Sequence, residues 1–435
     1  MNALLATLCF AAAPQDLHAV AQQAFDERHV AGMVVAVEKD GQLLLSEGFG
    51  FADVERRVKA APGTVFHYDS ITKQITAAAL LKLAEQGKVK LDDDVHKYVP
   101  LGDATPVPLR ALLNHTSGLV SFDTLPEFVK HEREDVTPAQ LLAMLEGQPR
   151  YFKPGESFRY TNTGFWLAGQ VIEKASGVSY SEYVRTNLFA PLRKKEPQGP
   201  VTAGAAGATP AQGYLSKGNG FVKAPALSWV PVSSAGAVTG TAGDLLLFEA
   251  GLDTLLSKDD LAAMRAPTKV RGMPAVDYGL GTRLGQLEHH KMTGHTGSGG
   301  GYTTAALRFP DEKLTVVVLM NTEGGSASMV ATALARAALD LGPMKQPADV
   351  PLTAMAANWP GTYTSEEVRV EVTLNEGRVF ATPAGAPGPL PMIHLGDDVF
   401  AFGPGRTVRF VGGVKGAAAT VYADGLMVDY ARRGN

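Results

Sequence analysis

A serine and a lysine stand three residues apart at the start of a long apolar stretch. The two residues are Ser70 and Lys73, and apolar residues recur from Ile71 to Leu83 at helical spacing, with Gly87 as a C-terminal stop. Residues three apart share one helix face, and free backbone N–H groups at a helix start favour a developing oxyanion. The pair therefore predicts a nucleophile and its base. The alternative is a serine cap followed by a surface lysine.

A second pair of candidate residues follows further along the chain. Tyr160 and Asn162 stand two residues apart, after a Lys-Pro-Gly turn. In an extended segment both side chains point to the same side, where a phenol could shuttle a proton and an amide could orient a substrate. The alternative is a turn tyrosine packed on the core. His115, in an Asn-His-Thr-Ser-Gly turn, is expected to brace the wall of the site rather than to take part in catalysis.

A glycine-rich segment supplies the remaining candidates, His295, Thr296, Gly297 and Ser298. The glycine run lacks the Gly-Lys-Ser/Thr ending of a phosphate loop and does not open a helix, so nucleotide binding is not expected. Glycines let a substrate lie close against the backbone of a strand. We therefore predict that this segment lines the substrate site, with a surface strand histidine as the alternative for His295.

Composition and charge limit the classes of function. The 435 residues are 45% hydrophobic and carry a net charge of −4, with a pI near 6.2, so nucleic acid is not an expected partner. No apolar run is long enough to predict a membrane span. Cys9 is the only cysteine, and the acidic run at 92–94 fits a solvated, capping cluster better than a metal site. We expect neither a metal nor another cofactor, and the oligomeric state stays open.

The order of the predicted elements indicates an α+β protein of more than one domain. Residues 1–13 have the short apolar centre and Ala-x-Ala ending of a secretory signal, which favours a periplasmic or secreted location over the cytoplasm. Residues 14–342 form one large unit, in which a helix and an Asp40-Gly41 hairpin precede the Ser70 helix. A proline-containing linker at 343–358 then leads into 359–435, where short alternating runs predict a small all-β barrel.

Taken together, the motifs resemble those of the serine β-lactamase and penicillin-binding-protein superfamily. The nearest branch contains class C β-lactamase-related hydrolases, D-aminopeptidases, D-alanyl-D-alanine carboxypeptidases and esterases. The likeness extends through residues 112–119, 154–162 and 235–245 in the same order and covers about residues 15 to 342. It implies an antiparallel sheet flanked by helices, plus an all-helical lobe, with the site between them. No Gly-x-Ser-x-Gly elbow is present, so an α/β-hydrolase is excluded.

The resemblance also implies a role for each candidate residue. Ser70 would be acylated, Lys73 would help to deprotonate it, and Tyr160 would relay the proton to the leaving group and later activate water. The N–H groups of Ser70 and Ser298 would form the oxyanion hole. Asn162 would hold the substrate amide. The C-terminal region resembles the lipocalin-like β-barrel that some of these hydrolases carry.

One departure from the family pattern affects the expected substrate. His295 stands where many relatives have lysine, and a mostly neutral histidine donates one hydrogen bond where a cation would bind a carboxylate. This favours D-aminopeptidase or esterase activity on a small-molecule or peptide substrate, which could derive from the cell wall. The alternatives are a weak β-lactamase or penicillin-binding protein, and a non-catalytic binding or scaffold protein that keeps the fold.

Overall fold

A computed structural model describes most of the large unit and parts of the C-terminal region. The described residues are 16–193, 210–270, 275–342, 352, 359–364, 369–383, 388–396, 399–401, 407–411, 420–423 and 432–433. The predicted signal and almost all of the predicted linker lie outside them, so these expectations stay predictions. Within the described residues, no helix is both long enough and apolar enough to span a bilayer.

Twelve α-helices are found among the described residues of the large unit. They are α1 (Leu17–Glu27), α2 (Thr72–Glu85), α3 (Leu109–Leu113), α4 (Pro126–Lys130), α5 (Pro138–Leu145), α6 (Asn162–Ser176), α7 (Tyr180–Val184), α8 (Ala190–Arg193), α9 (Ser233–Gly236), α10 (Ala242–Leu255), α11 (Lys258–Met264) and α12 (Ala327–Ala338). Local signals explain several of their ends. Thr137 and Thr241 cap α5 and α10 through capping boxes, and Gly177 ends α6 with a φ of 79°.

The strands of the large unit form one seven-stranded sheet and two small ribbons. They are β1 (Gly32–Lys39), β2 (Gln42–Asp53), β3 (Val58–Lys59), β4 (Phe66–His67), β5 (Tyr214–Lys217), β6 (Gly220–Lys223), β7 (Thr239–Gly240), β8 (Arg283–Leu287), β9 (His290–Gly299), β10 (Tyr302–Phe309) and β11 (Leu314–Met320). The large sheet has the order β3-β2-β1-β11-β10-β9-β8, and its pairings are antiparallel. The predicted hairpin is confirmed, because Asp40 and Gly41 both take the positive φ that a tight two-residue turn requires.

Two hydrophobic layers cover the two faces of this sheet. Strand β11 is buried along its whole length, as the uninterrupted apolar run from Leu314 predicts. Alternate residues of β1 point to opposite faces: Val34 belongs to the core shared with α2, α6 and α10, and Val35 belongs to the core shared with α1 and α12. The layer that contains α2 holds the Ser70 segment against the sheet.

The C-terminal strands form a second sheet. They are β12 (Gly361–Thr364), β13 (Arg369–Asn375), β14 (Arg378–Pro383), β15 (Leu390–Gly396), β16 (Val399–Ala401), β17 (Thr407–Val411), β18 (Thr420–Ala423) and β19 (Arg432–Arg433). Their order in this eight-stranded sheet is β18-β17-β16-β15-β14-β13-β12-β19. The short alternating runs of the sequence coincide with β13, β14, β16, β17 and β18, whereas β12, β15 and β19 lie outside those runs. The likeness to a lipocalin barrel stays a prediction.

A buried carboxyl group on α10 makes the stability of the large unit depend on pH. Burial raises the pKa of Glu249 from 4.5 to about 7, and the nearby Arg265 and Arg308 offset this only in part. The folded protein therefore holds the proton of Glu249 more tightly than the unfolded chain does. The resulting stability is fully present below the pKa of Glu249 in the unfolded chain, and it is lost as the pH rises towards 7. As the pH rises from 5 to 8, the free energy of unfolding of Glu249→Gln should increase by roughly 2 kcal/mol relative to that of the wild type, because each pKa unit corresponds to about 1.4 kcal/mol. Chemical denaturation at several pH values measures this difference.

The exposed Glu146, just past the end of α5, provides the matched control. Glu146→Gln should show no such change with pH. If Glu249→Gln and the wild type keep a constant difference in the free energy of unfolding across this range, Glu249 does not carry the effect.

Candidate active site

The nucleophile candidate lies in a tight turn just before α2. Ser70 belongs to a short 3-10 turn, Asp69–Ile71, and the α-helix starts at Thr72 rather than at Ile71 as the sequence predicted. Asp69 has a φ of 49°, in the left-handed region that a non-glycine residue adopts at a cost. Its carboxyl group is buried, and desolvation raises its pKa well above the usual value. The turn therefore presents Ser70 next to a buried carboxyl group.

Lys73 is completely buried, one turn further along, and its amine meets three partners. Nζ lies 3.0 Å from Ser70 Oγ, 2.7 Å from Asn162 Oδ1 and 2.9 Å from the carbonyl oxygen of Ala235. The last two atoms can only accept hydrogen bonds. A neutral Lys73 that donates to both of them directs its lone pair at Ser70 Oγ. This is the geometry of a base that removes the serine proton.

The pKa of Lys73 permits that role near neutral pH. Desolvation is the main cause that lowers this pKa to about 7, with Arg283 acting in the same direction and Asp123 and Asp69 opposing it. The neutral amine therefore becomes the main form as the pH rises through 7.

This sets the expected pH profile of acylation. The rate of inactivation by a fluorophosphonate should rise about tenfold per pH unit below 7 and level off above it, since the rate follows the fraction of neutral amine. The profile can be measured between pH 5 and pH 9 with enzyme in excess over the probe. A rate that is flat across this range, or that rises only near the usual lysine pKa, would contradict Lys73 as the base.

Tyr160 lies on another side of Ser70. Its hydroxyl is hydrogen-bonded with Ser70, and its ring centroid lies 4.6 Å from Lys73 Nζ. Desolvation raises the pKa of Tyr160 above the ordinary value of 10, so the phenol stays protonated at neutral pH. It can therefore donate a proton to a leaving group, whereas Lys73 is the better resting base.

His115 braces this tyrosine from behind, in the role that the sequence indicated. The ring centroids of His115 and Tyr160 are 4.2 Å apart. His115 Nδ1 accepts a hydrogen bond from the Thr161 N–H at 3.2 Å, and burial lowers the pKa of His115 well below its usual value. The neutral ring thus fixes the backbone between Tyr160 and Asn162.

Asn162 is oriented by two neighbours of opposite character. Its Oδ1 accepts from Lys73, and its Nδ2 donates to Asp123 Oδ2 at 2.7 Å. A carboxylate only accepts, so Asp123 requires the NH2 end of the amide and leaves Oδ1 to face Lys73. Asn162 is the first residue of α6. The second N–H of Nδ2 stays available for a substrate carbonyl.

Strand β9 runs along the Ser70 turn, and Gly297 makes this approach possible. A Cβ atom at Gly297 would lie 2.5 Å from the Tyr68 carbonyl oxygen and 2.6 Å from Asp69 Cβ. Thr296 is buried, and Ser298 is exposed at the end of the strand. The structure thus places Ser298 on the strand that borders the nucleophile, where the oxyanion hole was predicted. Its role as a donor to the oxyanion stays a prediction.

His295 is fully buried, and both ring nitrogens have partners within the protein. Nδ1 lies 2.6 Å from the Thr296 carbonyl oxygen, so Nδ1 carries the proton, and Nε2 accepts from the Tyr278 hydroxyl at 3.1 Å. Burial lowers the pKa of His295 well below its usual value. The ring is therefore neutral and its one N–H is already used. The predicted hydrogen bond from His295 to a substrate stays a prediction, and it would need this arrangement to change.

The positive charge near this part of the site comes from Arg283 instead. Arg283 is the first residue of β8, paired with Gly294 of β9, and is half-buried. Its charge lowers the pKa values of Lys73, His295 and Tyr160.

Asp123 and Arg283 are the two charged residues that the sequence did not reveal. An acid in an irregular loop and an arginine at a strand start resemble ordinary surface residues. Both residues lie near the site only because the tertiary fold places them there. Among the described residues, no group of His, Cys, Asp and Glu is arranged to hold a metal ion.

Comparison with known proteins defines the class to which this fold and site belong. Residues 17–340 match the Beta-lactamase family, and the chain belongs to that family. The predicted superfamily is thereby confirmed, together with the coarse prediction of helices around an antiparallel sheet. Solved structures with a similar fold include a D-stereospecific amidohydrolase and a hydrolase with acyltransferase activity.

Individual relatives extend the likeness over most of the chain. Penicillin-binding protein 4* of Bacillus subtilis (strain 168) is 26% identical over 390 residues, which is 82% of this chain and 85% of that protein. The crystal structure of SurE superposes with a TM-score of 0.67 and 26% identity, over 96% of this chain and 98% of SurE. A second SurE structure, with D-Leu, has a TM-score of 0.65, 25% identity and the same coverage. A D-stereospecific amidohydrolase from Streptomyces sp. has a TM-score of 0.61 and 27% identity over 72% of this chain and 97% of its own.

Proposed function

We propose that the protein is a serine hydrolase that forms an acyl-enzyme at Ser70 and cleaves amide or ester bonds. Its substrates would be small esters or peptides and amides that contain D-residues. The observation that carries this proposal is the set of three contacts made by the buried Lys73 amine. A binding protein that merely kept the fold would not require a nucleophile matched to a base with a pKa near 7.

The first half of the reaction follows from these contacts. The Ser70 proton passes to Nζ of neutral Lys73 as Oγ attacks the substrate carbonyl carbon. The N–H groups of Ser70 and Ser298 would stabilise the resulting oxyanion. As the bond to the leaving group breaks, Tyr160 gives its phenolic proton to that group and takes a proton from the Lys73 ammonium. No free phenolate accumulates, which agrees with the raised pKa of Tyr160.

The second half of the reaction repeats this path with water. Water attacks the Ser70 ester, its proton moves to the neutral amine through the same groups, and Ser70 Oγ leaves with a proton. The acid is released, and the original state of Ser70 and Lys73 is restored.

The relatives support a preference for D-configured substrates. SurE has been crystallised with D-Leu, and the amidohydrolase from Streptomyces sp. is described as D-stereospecific. Both resemble this chain at 25% identity or more, with TM-scores above 0.6. A D-residue on the acyl side of the scissile bond is therefore the first substrate class to test.

A panel of chromogenic substrates tests the proposed function. It contains p-nitrophenyl esters, D-amino-acid p-nitroanilides and their L-counterparts, each given to the wild type and to Ser70→Ala. Turnover by the wild type alone is the expected result. Equal rates with both proteins, or no turnover together with no labelling of folded wild type by a fluorophosphonate, would overturn the proposal and leave the non-catalytic alternative.

One observation favours a second candidate, a weak β-lactamase or penicillin-binding protein. Penicillin-binding protein 4* of Bacillus subtilis (strain 168) is 26% identical to this chain over 390 residues, which is 82% of this chain. Turnover of nitrocefin would support a β-lactamase. An acyl-enzyme that accumulates without turnover would indicate a penicillin-binding protein, and the absence of both would remove this candidate.

A further inference from the structure

We propose that Thr76 is a positioning residue for proton transfer at Ser70, because it fixes the Ala235 carbonyl oxygen on the Lys73 amine. This inference rests on the proposed acylation of Ser70, and it concerns what keeps the base in its working orientation. Thr76 acts through the backbone that carries Ala235 rather than on the substrate.

The Ala235 carbonyl oxygen decides how the Lys73 amine is oriented. A neutral amine has two N–H bonds and one lone pair. Asn162 Oδ1 at 2.7 Å and the Ala235 oxygen at 2.9 Å accept the two N–H bonds, which leaves the lone pair for Ser70 Oγ at 3.0 Å. If the Ala235 oxygen moved away, one N–H bond of the amine could turn to Ser70 Oγ instead. An amine that donates to the serine oxygen cannot take its proton.

The helix that carries Ala235 is too short to hold this position alone. It is α9, whose four residues are Ser233–Gly236, and its N-cap makes no side-chain hydrogen bond. The last carbonyl groups of a helix have no partner within it, and an isolated helical turn is unstable in water. Contacts between α9 and its neighbours must therefore set the position of the Ala235 carbonyl oxygen.

Thr76 makes one of these contacts directly beside Ala235. Its hydroxyl group lies 2.6 Å from the Ser234 carbonyl oxygen, one peptide unit before that of Ala235, and 3.1 Å from the Thr72 carbonyl oxygen. Carbonyl oxygens only accept, so the hydroxyl proton of Thr76 is directed to them, and the Tyr180 hydroxyl, 2.6 Å from Oγ1, donates to Thr76. Thr76 is completely buried. Removing its hydroxyl group would therefore take a donor from the Ser234 carbonyl oxygen inside the protein, which is costly.

A second threonine of α2 holds the other end of the same segment. Thr72 Oγ1 accepts from the Val238 N–H at 3.2 Å. Thr72 and Lys73 both share a helix face with Thr76, because residues three and four apart are neighbours on a helix. The two threonines thus fix the chain on either side of Ala235. One face of α2 therefore carries the base and also holds the carbonyl oxygen that orients it.

The test is the pH profile of acylation in Thr76→Val, which keeps the shape of threonine and removes the hydroxyl group. The rate of labelling by a fluorophosphonate is measured between pH 5 and pH 9. The plateau above pH 7 should fall at least about tenfold, because misplacing a catalytic group by about 1 Å can cost 10²-fold. The midpoint should also move to lower pH by about half a unit. A carbonyl oxygen bonds more strongly to an ammonium group than to an amine, so its withdrawal destabilises the protonated form of Lys73.

The shift of the midpoint separates positioning from a loss of stability. A variant that is only less stable loses active protein and keeps the wild-type midpoint. Thr76→Val removes no charge, and the titratable and charged groups around Lys73 all remain. They are Asp69, His115, Asp123, Tyr160, Arg283 and His295.

Three further variants complete the comparison. Thr76→Ser keeps the hydroxyl group and should keep the wild-type midpoint and most of the plateau rate. Thr332→Val, on α12, removes a hydroxyl group that donates to the Ser328 carbonyl oxygen at 2.8 Å, on the other side of the large sheet, and should change neither quantity. If Thr76→Val does not fold, Thr72→Val releases the Val238 end of the segment instead, and its midpoint should move in the same direction.

The outcomes are distinct. A folded Thr76→Val variant that keeps the wild-type midpoint would overturn the proposal, whether or not its rate falls, and the same holds for Thr72→Val where it takes the place of Thr76→Val. A Thr76→Ser variant that shifts as far as Thr76→Val would also overturn it, because the effect would then not come from the hydroxyl group. Failure of the proposed function itself would appear in the wild type, as a folded protein that neither hydrolyses p-nitrophenyl acetate nor reacts with a fluorophosphonate.

Discussion

Lys73→Met is expected to lower the rate of acylation of Ser70 about a thousandfold. General-base assistance contributes roughly 10²–10⁴-fold to a reaction rate, and Lys73, whose Nζ lies 3.0 Å from Ser70 Oγ, is the proposed base. Methionine has nearly the same length and suits the buried position. The effect can be measured as the second-order rate constant for labelling by a fluorophosphonate, together with kcat/KM for a p-nitrophenyl ester.

Lys82 provides a matched control on the same helix. Its Nζ bonds to Glu85 and to the carbonyl oxygen of Leu255, away from the serine. Lys82→Met should therefore react at close to the wild-type rate. If a folded Lys73→Met variant is labelled within about threefold of the wild-type rate, another group must deprotonate Ser70.

Tyr160→Phe should lower kcat/KM for D-amino-acid anilides about a hundredfold and have a smaller effect on p-nitrophenyl esters. An amine leaving group needs a proton as the bond breaks, whereas p-nitrophenolate leaves without one. The phenylalanine ring keeps the packing against His115, whose centroid is 4.2 Å away. The difference between the two substrate classes therefore reports on the hydroxyl group and not on the fold.

A second buried tyrosine serves as the control for this substitution. The Tyr180 hydroxyl lies 2.6 Å from Thr76 Oγ1, deeper along α2, and Tyr180→Phe removes a buried hydrogen bond without touching Ser70. It should lower stability and leave the ratio between anilide and ester unchanged. Equal losses on both substrate classes in Tyr160→Phe would mean that the phenol does not protonate the leaving group.

Local signals in the sequence predicted much of the large unit. The Asp40-Gly41 turn, the Thr241 cap and the Gly177 stop each depend on a few neighbouring residues, so they could be identified without knowledge of the fold. Ser70 and Lys73 gained meaning from Tyr160 and Asn162, which follow in the expected order. The structure brings all four side chains together around the Lys73 amine.

Features that arise from tertiary contacts were not predictable. Nothing near Asp123 in the sequence indicates that Asn162, 39 positions later, donates to it. Likewise, nothing near His295 in the sequence indicates that the Tyr278 hydroxyl is its hydrogen-bond partner. In the C-terminal region, β15 contains Pro391 and ends at Gly396. Proline and glycine usually interrupt a strand, so the residue pattern did not predict β15.

The neutral state of His295 changes how the substrate is expected to be selected. The sequence made this residue the main determinant of substrate preference. In the structure its ring is enclosed and its N–H is used, and the charges that border the site are Asp123 on the helical side and Arg283 on the sheet. A hydrogen bond from His295 to a substrate would therefore require its present partner, the Thr296 carbonyl oxygen, to be displaced.

The most direct test of acyl transfer at Ser70 is an intact-mass measurement followed by peptide mapping. Wild type and Ser70→Ala are incubated with a fluorophosphonate at pH 8, where most of the Lys73 amine is neutral. The account predicts one adduct on the wild type, located on Ser70, and none on Ser70→Ala. A folded wild type that stays unmodified, or an adduct that persists in Ser70→Ala, would contradict it.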